Sequence, residues 1–293
     1  MINNLKTPKE IDAYIYADMQ NKWDWLRNNH PELNVIFMIA KGSMNYDMMI
    51  FTEDYQSDVD VEVVICPTLD QIIRGDDMIS TTYVMEDNSH VTVRDIRIFK
   101  DLLFKQNLAF LELLHSKYFI AKDVNEINLL EELQDMSDEI DKIDQVRFFK
   151  ALKGMMLEKR KALTHPYPTQ KEEIEKYGYA SKQIHHIKRL YYMMLEMVCR
   201  NKPYKDVLIL HEATRNELLD FKINHYDKDG MILLSEYMCN KADRYINFHL
   251  ERNKDNFKVN EKTKSKVENI IYTYIKINIY TQMMKEMKGR CLY

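Results

Sequence analysis

The sequence is poor in the residues that interrupt regular structure. Only six Gly and six Pro occur among 293 residues, which argues against long structureless linkers. Cysteine is as scarce: Cys66, Cys199, Cys239 and Cys291 lie far apart and show no C-x-x-C spacing. That argues against structural zinc and suits the reducing cytosol. The opening MINNLKTPKE has no apolar signal core, and no stretch approaches the ~20 apolar residues of a membrane span. The expectation is a cytoplasmic chain without a membrane partner. A net charge of −4 argues against a chain held to nucleic acid by overall electrostatics, although a local basic face remains available. No G-x-x-x-x-G-K-[ST] loop and no G-x-S-x-G elbow occur, which sets aside P-loop and α/β-hydrolase chemistry.

What is present is ordinary for a globular chain, with 45% hydrophobic and 30% charged residues, and long enough for about two compact units. The 19 Met residues need no cofactor, because Met fills cores flexibly. Apolar residues recur with helical spacing at Ile11, Ile15, Met19 and Trp23, so Thr7 to Asn29 reads as a helix. Asn34–Ala40 and Ser57–Cys66 read as strands, and Pro67–Arg74 as a short helix. Ser80–Met85 and His90–Arg94 flank the turn EDNS and predict a hairpin, with helices over Ile96–Phe104 and Leu108–Tyr118. From about Asp123 only helical patterns follow, beginning with an acidic stretch indistinguishable from a solvated helix. DKDG at 227–230 lacks the remaining ligand positions of a calcium loop. The predicted class is α/β (α+β): a small mixed-sheet domain over 1–122, then an all-helical domain over 123–293.

One constellation carries chemistry. The first strand ends in Gly42-Ser43, where Gly permits close backbone approach and Ser adds a hydroxyl. Asp58 and Asp60 are i and i+2 on a strand, so both carboxylates point to one face while Val59 and Val61 point to the other. Glu62 continues the acidic face. Such a pair repels itself unless a cation lies between, and oxygen-only donors suit Mg²⁺ or Mn²⁺. A D-x-D by itself is as readily a solvated strand edge, and Gly-Ser an ordinary turn. Lys41 offers a point charge for phosphate, or an ordinary surface amine.

The run KGSMNYDMMIFTEDYQSDVDVEVVICP resembles the G-S…S-D-x-D signature of the DNA polymerase β-like nucleotidyltransferase superfamily. More narrowly, it is similar to nucleotidyltransferases of Gram-positive bacteria and their phages that are related to RNA-ligase-associated polynucleotidyl transferases. Further likeness lies in Asp95-Ile96-Arg97, in Lys105-Gln106-Asn107 with Phe110 and Glu112, in HPYP at 165–168, and in KQIHHIKRL at 182–190. It spans about residues 35 to 205. The resemblance implies metal-dependent transfer of a nucleoside monophosphate from a nucleoside triphosphate to a hydroxyl acceptor, RNA among the options, with release of pyrophosphate. Asp58 and Asp60 would hold the metal, and Gly42, Ser43 and Lys41 would meet the phosphates.

Two departures stand out. Where relatives carry Gly after Asn-Tyr this chain has Asp47, which adds negative charge near a polyphosphate site. The superfamily's third carboxylate falls at Thr92, leaving Asp95 as its substitute or as a plain helix cap. A second group, Lys182, His185 and Arg189 with His186 and Lys188, shares a broad helix face. It reads either as a substrate-binding cationic face or as a solvated face with a histidine in the core. Glu112 and His115 read as a helix-surface pair. The rival to an enzyme is a degenerate nucleotidyltransferase fold that binds a nucleotide or a protein without turnover.

Overall fold

The computed structural model describes residues 6–53 and 55–290; Cys291 lies outside them. Thr7 and Glu10 form a reciprocal capping box, with Pro8 in the first turn, and start helix α1 (Pro8–Asn29). Strands β1 (Val35–Lys41) and β2 (Asp60–Ile65) follow, then α2 (Leu69–Arg74), β3 (Ser80–Val84) and β4 (His90–Asp95). Helices α3 (Ile96–Phe104) and α4 (Leu108–Leu111) precede a short edge strand, β5 (Phe119–Ala121), and then α5 (Val124–Asp135) and α6 (Ser137–Ile140).

The five strands form one mixed sheet in the order β3-β4-β2-β1-β5, with β2 and β4 parallel and the other neighbours antiparallel. Period-two alternation gives the sheet two different faces. Met38, Ala40, Val61, Val63 and Ile65 pack with Ile15, Met19, Trp23 and Leu26 of α1. On the other face Phe37 meets Phe99 of α3 edge to face, and Phe99 meets Phe110 in the same way, each with centroids 6.0 Å apart. That face turns polar along the strands, because Lys41 pairs with Asp60 and Ile39 with Glu62.

The remaining chain is helical: α7 (Gln145–Ala162), α8 (Lys171–Tyr177), α9 (Ser181–Arg200), α10 (Tyr204–Leu208), α11 (Glu212–Ile223), α12 (Lys228–Arg252) and α13 (Glu261–Arg290). The class is therefore α+β, as the sequence predicts. Two compact units divide the chain. One comprises Asp144–Val259 with the short segment Tyr46–Met48, and is centred on α9, which packs against α7, α11 and α12. Its core is rich in flexible side chains, among them Met156, Met193 and Met194. The other comprises Lys6–Asn45, Met49–Ile143 and the chain from Asn260 onward. The sheet unit thus extends past the expected boundary at 122/123 and includes α13, the last helix.

Several elements differ from expectation. The helix expected over Leu108–Tyr118 is α4 followed by a 3-10 turn at Glu112–His115, and the chain then straightens into β5. A three-residue, half-buried strand has no periodicity to reveal it. In the helical stretch that follows Pro203, the chain breaks between Leu208 and Glu212. DKDG is the start of α12, where Asp227 accepts from the Gly230 N–H at 2.8 Å. Among the described residues, no helix is long and apolar enough to cross a membrane.

Phe99 is fully buried at the centre of the aromatic row. Phe99→Ala is expected to lower unfolding stability by about 3–5 kcal/mol, read from the urea midpoint.

Candidate functional site

Antiparallel pairing of β1 with β2 sets Lys41 opposite Asp60, so the turn after one strand lies beside the start of the other. Gly42 occupies that turn at φ +90°, a backbone conformation that favours glycine. A Cβ placed there would lie 4.0 Å from Oδ2 of Asp60, which makes the two residues neighbours. Glu112, buried, accepts from the Gly42 N–H at 2.9 Å and holds the turn from beneath. Ser43 opens a 3-10 turn running to Tyr46, and the Asn45 N–H closes back on the Gly42 carbonyl at 2.9 Å. Glu112 is therefore no surface residue. Its partner in the expected surface pair, His115, bonds instead to buried Asp141 at 2.8 Å.

Asp58 and Asp60 are exposed, and neither carboxylate has a hydrogen bond or an ion pair among the described residues. The next acid on the same face is treated oppositely. Glu62 is 1% exposed and sits between Lys41 Nζ at 2.9 Å and Arg94 Nε at 2.5 Å. Buried charge demands such partners, whereas the two aspartates keep theirs open to solvent. Lys41 is thus committed to Glu62, with Thr92 Oγ1 at 3.5 Å, and is not a free phosphate contact. Among the described residues no group of three or more His, Cys, Asp and Glu side chains is arranged as a metal cage. Two carboxylates still fit Mg²⁺, which is commonly held by one or two of them together with water and substrate phosphates.

Asp95 does not join this pair. In the parallel register of β2 and β4 it lies opposite Ile65, at the far end of the strand from Asp60. Five residues of strand separate the two levels, about 16 Å at ~3.3 Å per residue. There Asp95 caps α3 through the Arg97 N–H at 2.8 Å and holds the Arg97 guanidinium through both oxygens, at 2.9 and 2.6 Å. Thr92 is the β4 residue level with Glu62.

Of the two readings of the α9 group, a substrate-binding cationic face does not form. Lys182 is exposed, but His185 is buried and donates from Nδ1 to the Leu218 carbonyl at 2.7 Å. Burial pushes the His185 imidazole down to about 3, and burial likewise lowers His186 well below its ordinary value. Lys188 pairs with Glu217 at 2.6 Å and lies 3.7 Å over the Phe221 ring. Arg189 stacks 3.7 Å over Tyr46. All of these belong to the helical unit, as does Asp47, whose carboxylate is held by Arg215 at 2.8 Å. Asp47 stands at φ +57°, a left-handed conformation that is uncommon outside glycine and that Asn and Asp adopt more readily than most residues. Its charge is neutralised by Arg215.

Sequence reasoning missed Glu112 as the support of the Gly42 turn and Arg94 as a partner of Glu62. Their signal was weak, since Arg94 pairs across to a neighbouring strand and Glu112 lies in a 3-10 turn mistaken for helix. Scanned against protein-family models the chain matches none, and no curated protein matches it.

Two outcomes follow. Asp95→Ala is expected to lower stability by about 1–3 kcal/mol through loss of the cap and the Arg97 pair, with any nucleotidyl transfer per folded molecule unchanged. The second concerns acid. The folded chain keeps His185 neutral down to about pH 3, whereas the unfolded chain protonates it below 6.5. Stability is then full above 6.5 and falls as the pH drops toward 3. The urea midpoint should fall between pH 7 and pH 5, and fall less in His185→Asn, whose amide can replace the Nδ1 donor.

Proposed function

We propose that the protein is a metal-dependent nucleotidyltransferase that moves a nucleoside monophosphate from a nucleoside triphosphate to a hydroxyl acceptor. The observation that supports this reading most is a pair of exposed, unpaired carboxylates, Asp58 and Asp60, on one strand face beside the Gly42 turn. Glu62, the next acid on that face, is held by two cations, and the open pair is an oxygen-donor site for Mg²⁺ or Mn²⁺. A metal there would screen the triphosphate and the charge that develops during transfer. Gly42 keeps the turn free of side chain where the phosphates approach, and Ser43 adds a hydroxyl.

In the reaction the acceptor oxygen bonds to the α-phosphorus while the bond from that phosphorus to the bridging oxygen breaks, and pyrophosphate leaves. Glu62 is held by two cations and Thr92 carries no base, so the acceptor's proton passes to solvent. RNA is one acceptor that suits this chemistry. On α9, Lys182 is exposed, whereas His185 and Arg189 serve packing.

A second reading has its own support. The third carboxylate position is Thr92, and Asp95 is occupied at the other end of the sheet. A fold that keeps its metal pair without a base would bind a nucleotide and turn it over slowly or not at all.

The test uses purified protein with each α-labelled nucleoside triphosphate, Mg²⁺ or Mn²⁺, and total RNA, beside a double Asp58→Ala, Asp60→Ala variant. The expected result is label in RNA or protein with wild type, and a loss of about a hundredfold or more in the variant. Nucleotide binding without incorporation under any condition would favour the second reading. Undiminished incorporation by the variant would refute the metal assignment.

A further inference from the structure

Helix α13 is apolar on two sides. It packs on α2, α3, α5 and α6, and its buried apolar side chains among the described residues are Val267, Ile271 and Ile275, each four residues from the next. A second row runs through Ile270, Thr273, Ile277, Tyr280, Met284 and Met287, with alternating steps of three and four residues. That is the a/d alternation by which one helix pairs with another. At about 100° per residue the row is centred about 160° from the buried one, so it points away from the body of the sheet unit. Its second half is open: Ile277, Tyr280 and Met287 are 58–63% exposed and Met284 is 37% exposed. Met283, 41% exposed, widens it.

A helix on the surface of a folded unit spends its apolar residues on the side that packs, so an outward row of this length calls for a cover. Three features point to a second copy of this chain. The spacing fits another helix with the same seam, and a two-fold axis across the row sets it against itself. The positions that flank the seam, Asn269, Tyr274, Lys276, Thr281 and Met283, carry one charge between them. Flanking charges select foreign partners in helix pairs, and here there is almost no such code. The five open side chains expose roughly 500 Å² per copy, so a pair would bury about 1,000 Å², the level at which a stable interface begins. The seam is short for an isolated helix, but α13 is already fixed by its inner row, so pairing costs no helix formation. Methionine adapts to the tyrosine ring across such a contact.

We propose that two copies of this chain associate through α13, with Ile277, Tyr280, Met284 and Met287 as the buried centre of a helix-to-helix interface. The surface is independent of the Gly42–Asp60 reading, and its test needs no nucleotide. The full chain is measured by sedimentation equilibrium from about 1 to 100 µM, a range that brackets a micromolar dimer. The mass is expected to rise with concentration toward twice the 35.3 kDa of the chain. Tyr280→Ser and Met284→Lys, each at an exposed position, are expected to weaken the dimer about tenfold or more, with the far-ultraviolet circular dichroism of the wild type. Phe248→Ser on α12, just as exposed, should leave it unchanged. A wild type that stays monomeric throughout would overturn the proposal. So would a dimer that survives both α13 variants, or one that Phe248→Ser disrupts. A monomer that sediments with anionic phospholipid vesicles, and loses them in Met284→Ser, would assign the seam to a lipid surface instead.

Discussion

Much of the sheet unit depends on the antiparallel pairing of β1 with β2. Its register sets Phe37 against Val64 at one end of the face and Lys41 against Asp60 at the other. The apolar end is then closed by Phe99 and Phe110, and the polar end is left to the Gly42 turn and the aspartates. A shift of one residue would turn Val61 and Val63 away from α1 and drive Glu62 into its core. The core and the candidate site are therefore two consequences of one register.

Charge on that face follows a rule of burial. Glu62 is taken out of water and receives two cations, one from the neighbouring strand on each side. Asp58 and Asp60 remain in contact with water and receive none. Removing water from a carboxylate without compensation is prohibitive, so the partners of Glu62 stabilise the sheet. The same rule takes the two histidines of α9 out of a cationic role. Their burial favours the neutral ring, and His185 is fixed by a carbonyl in the core. It also raises the Glu126 carboxyl above its ordinary value, since that buried acid is bonded by Tyr274 and lies beside Asp123.

Helix ends account for much of the remaining polar chemistry. Asp95, Asp123, Asp144 and Asp227 each cap the helix that follows them. Asp95 shows how a cap can imitate a catalytic acid in sequence. It follows a strand, precedes an amphipathic helix and stands between two arginines, and both readings share those features. Only the parallel register of β4 against β2 separates them, by placing Asp95 beside Ile65.

The sequence alone determined what depends on local period and local chemistry. The helix over Thr7–Asn29, the hairpin around EDNS, the alternation from Asp58 to Glu62 and the turn at Gly42-Ser43 could each be read from a few adjacent residues. It determined less where an element is short or where a residue's role depends on distant partners. Strand β5 has three residues and no pattern, so Glu112 was assigned to a helix surface although it holds the Gly42 turn. Lys188 and Arg189 were read as a basic face, yet Glu217, Phe221 and Tyr46 claim them. Helix α13 was assigned to the helical half, and it belongs to the sheet unit with Lys100 bonded to Tyr272 at 2.9 Å. Such roles rest on contacts between residues far apart in the chain. Periodicity says which side of an element is apolar, and tertiary packing decides what that side, and each charge beside it, will meet.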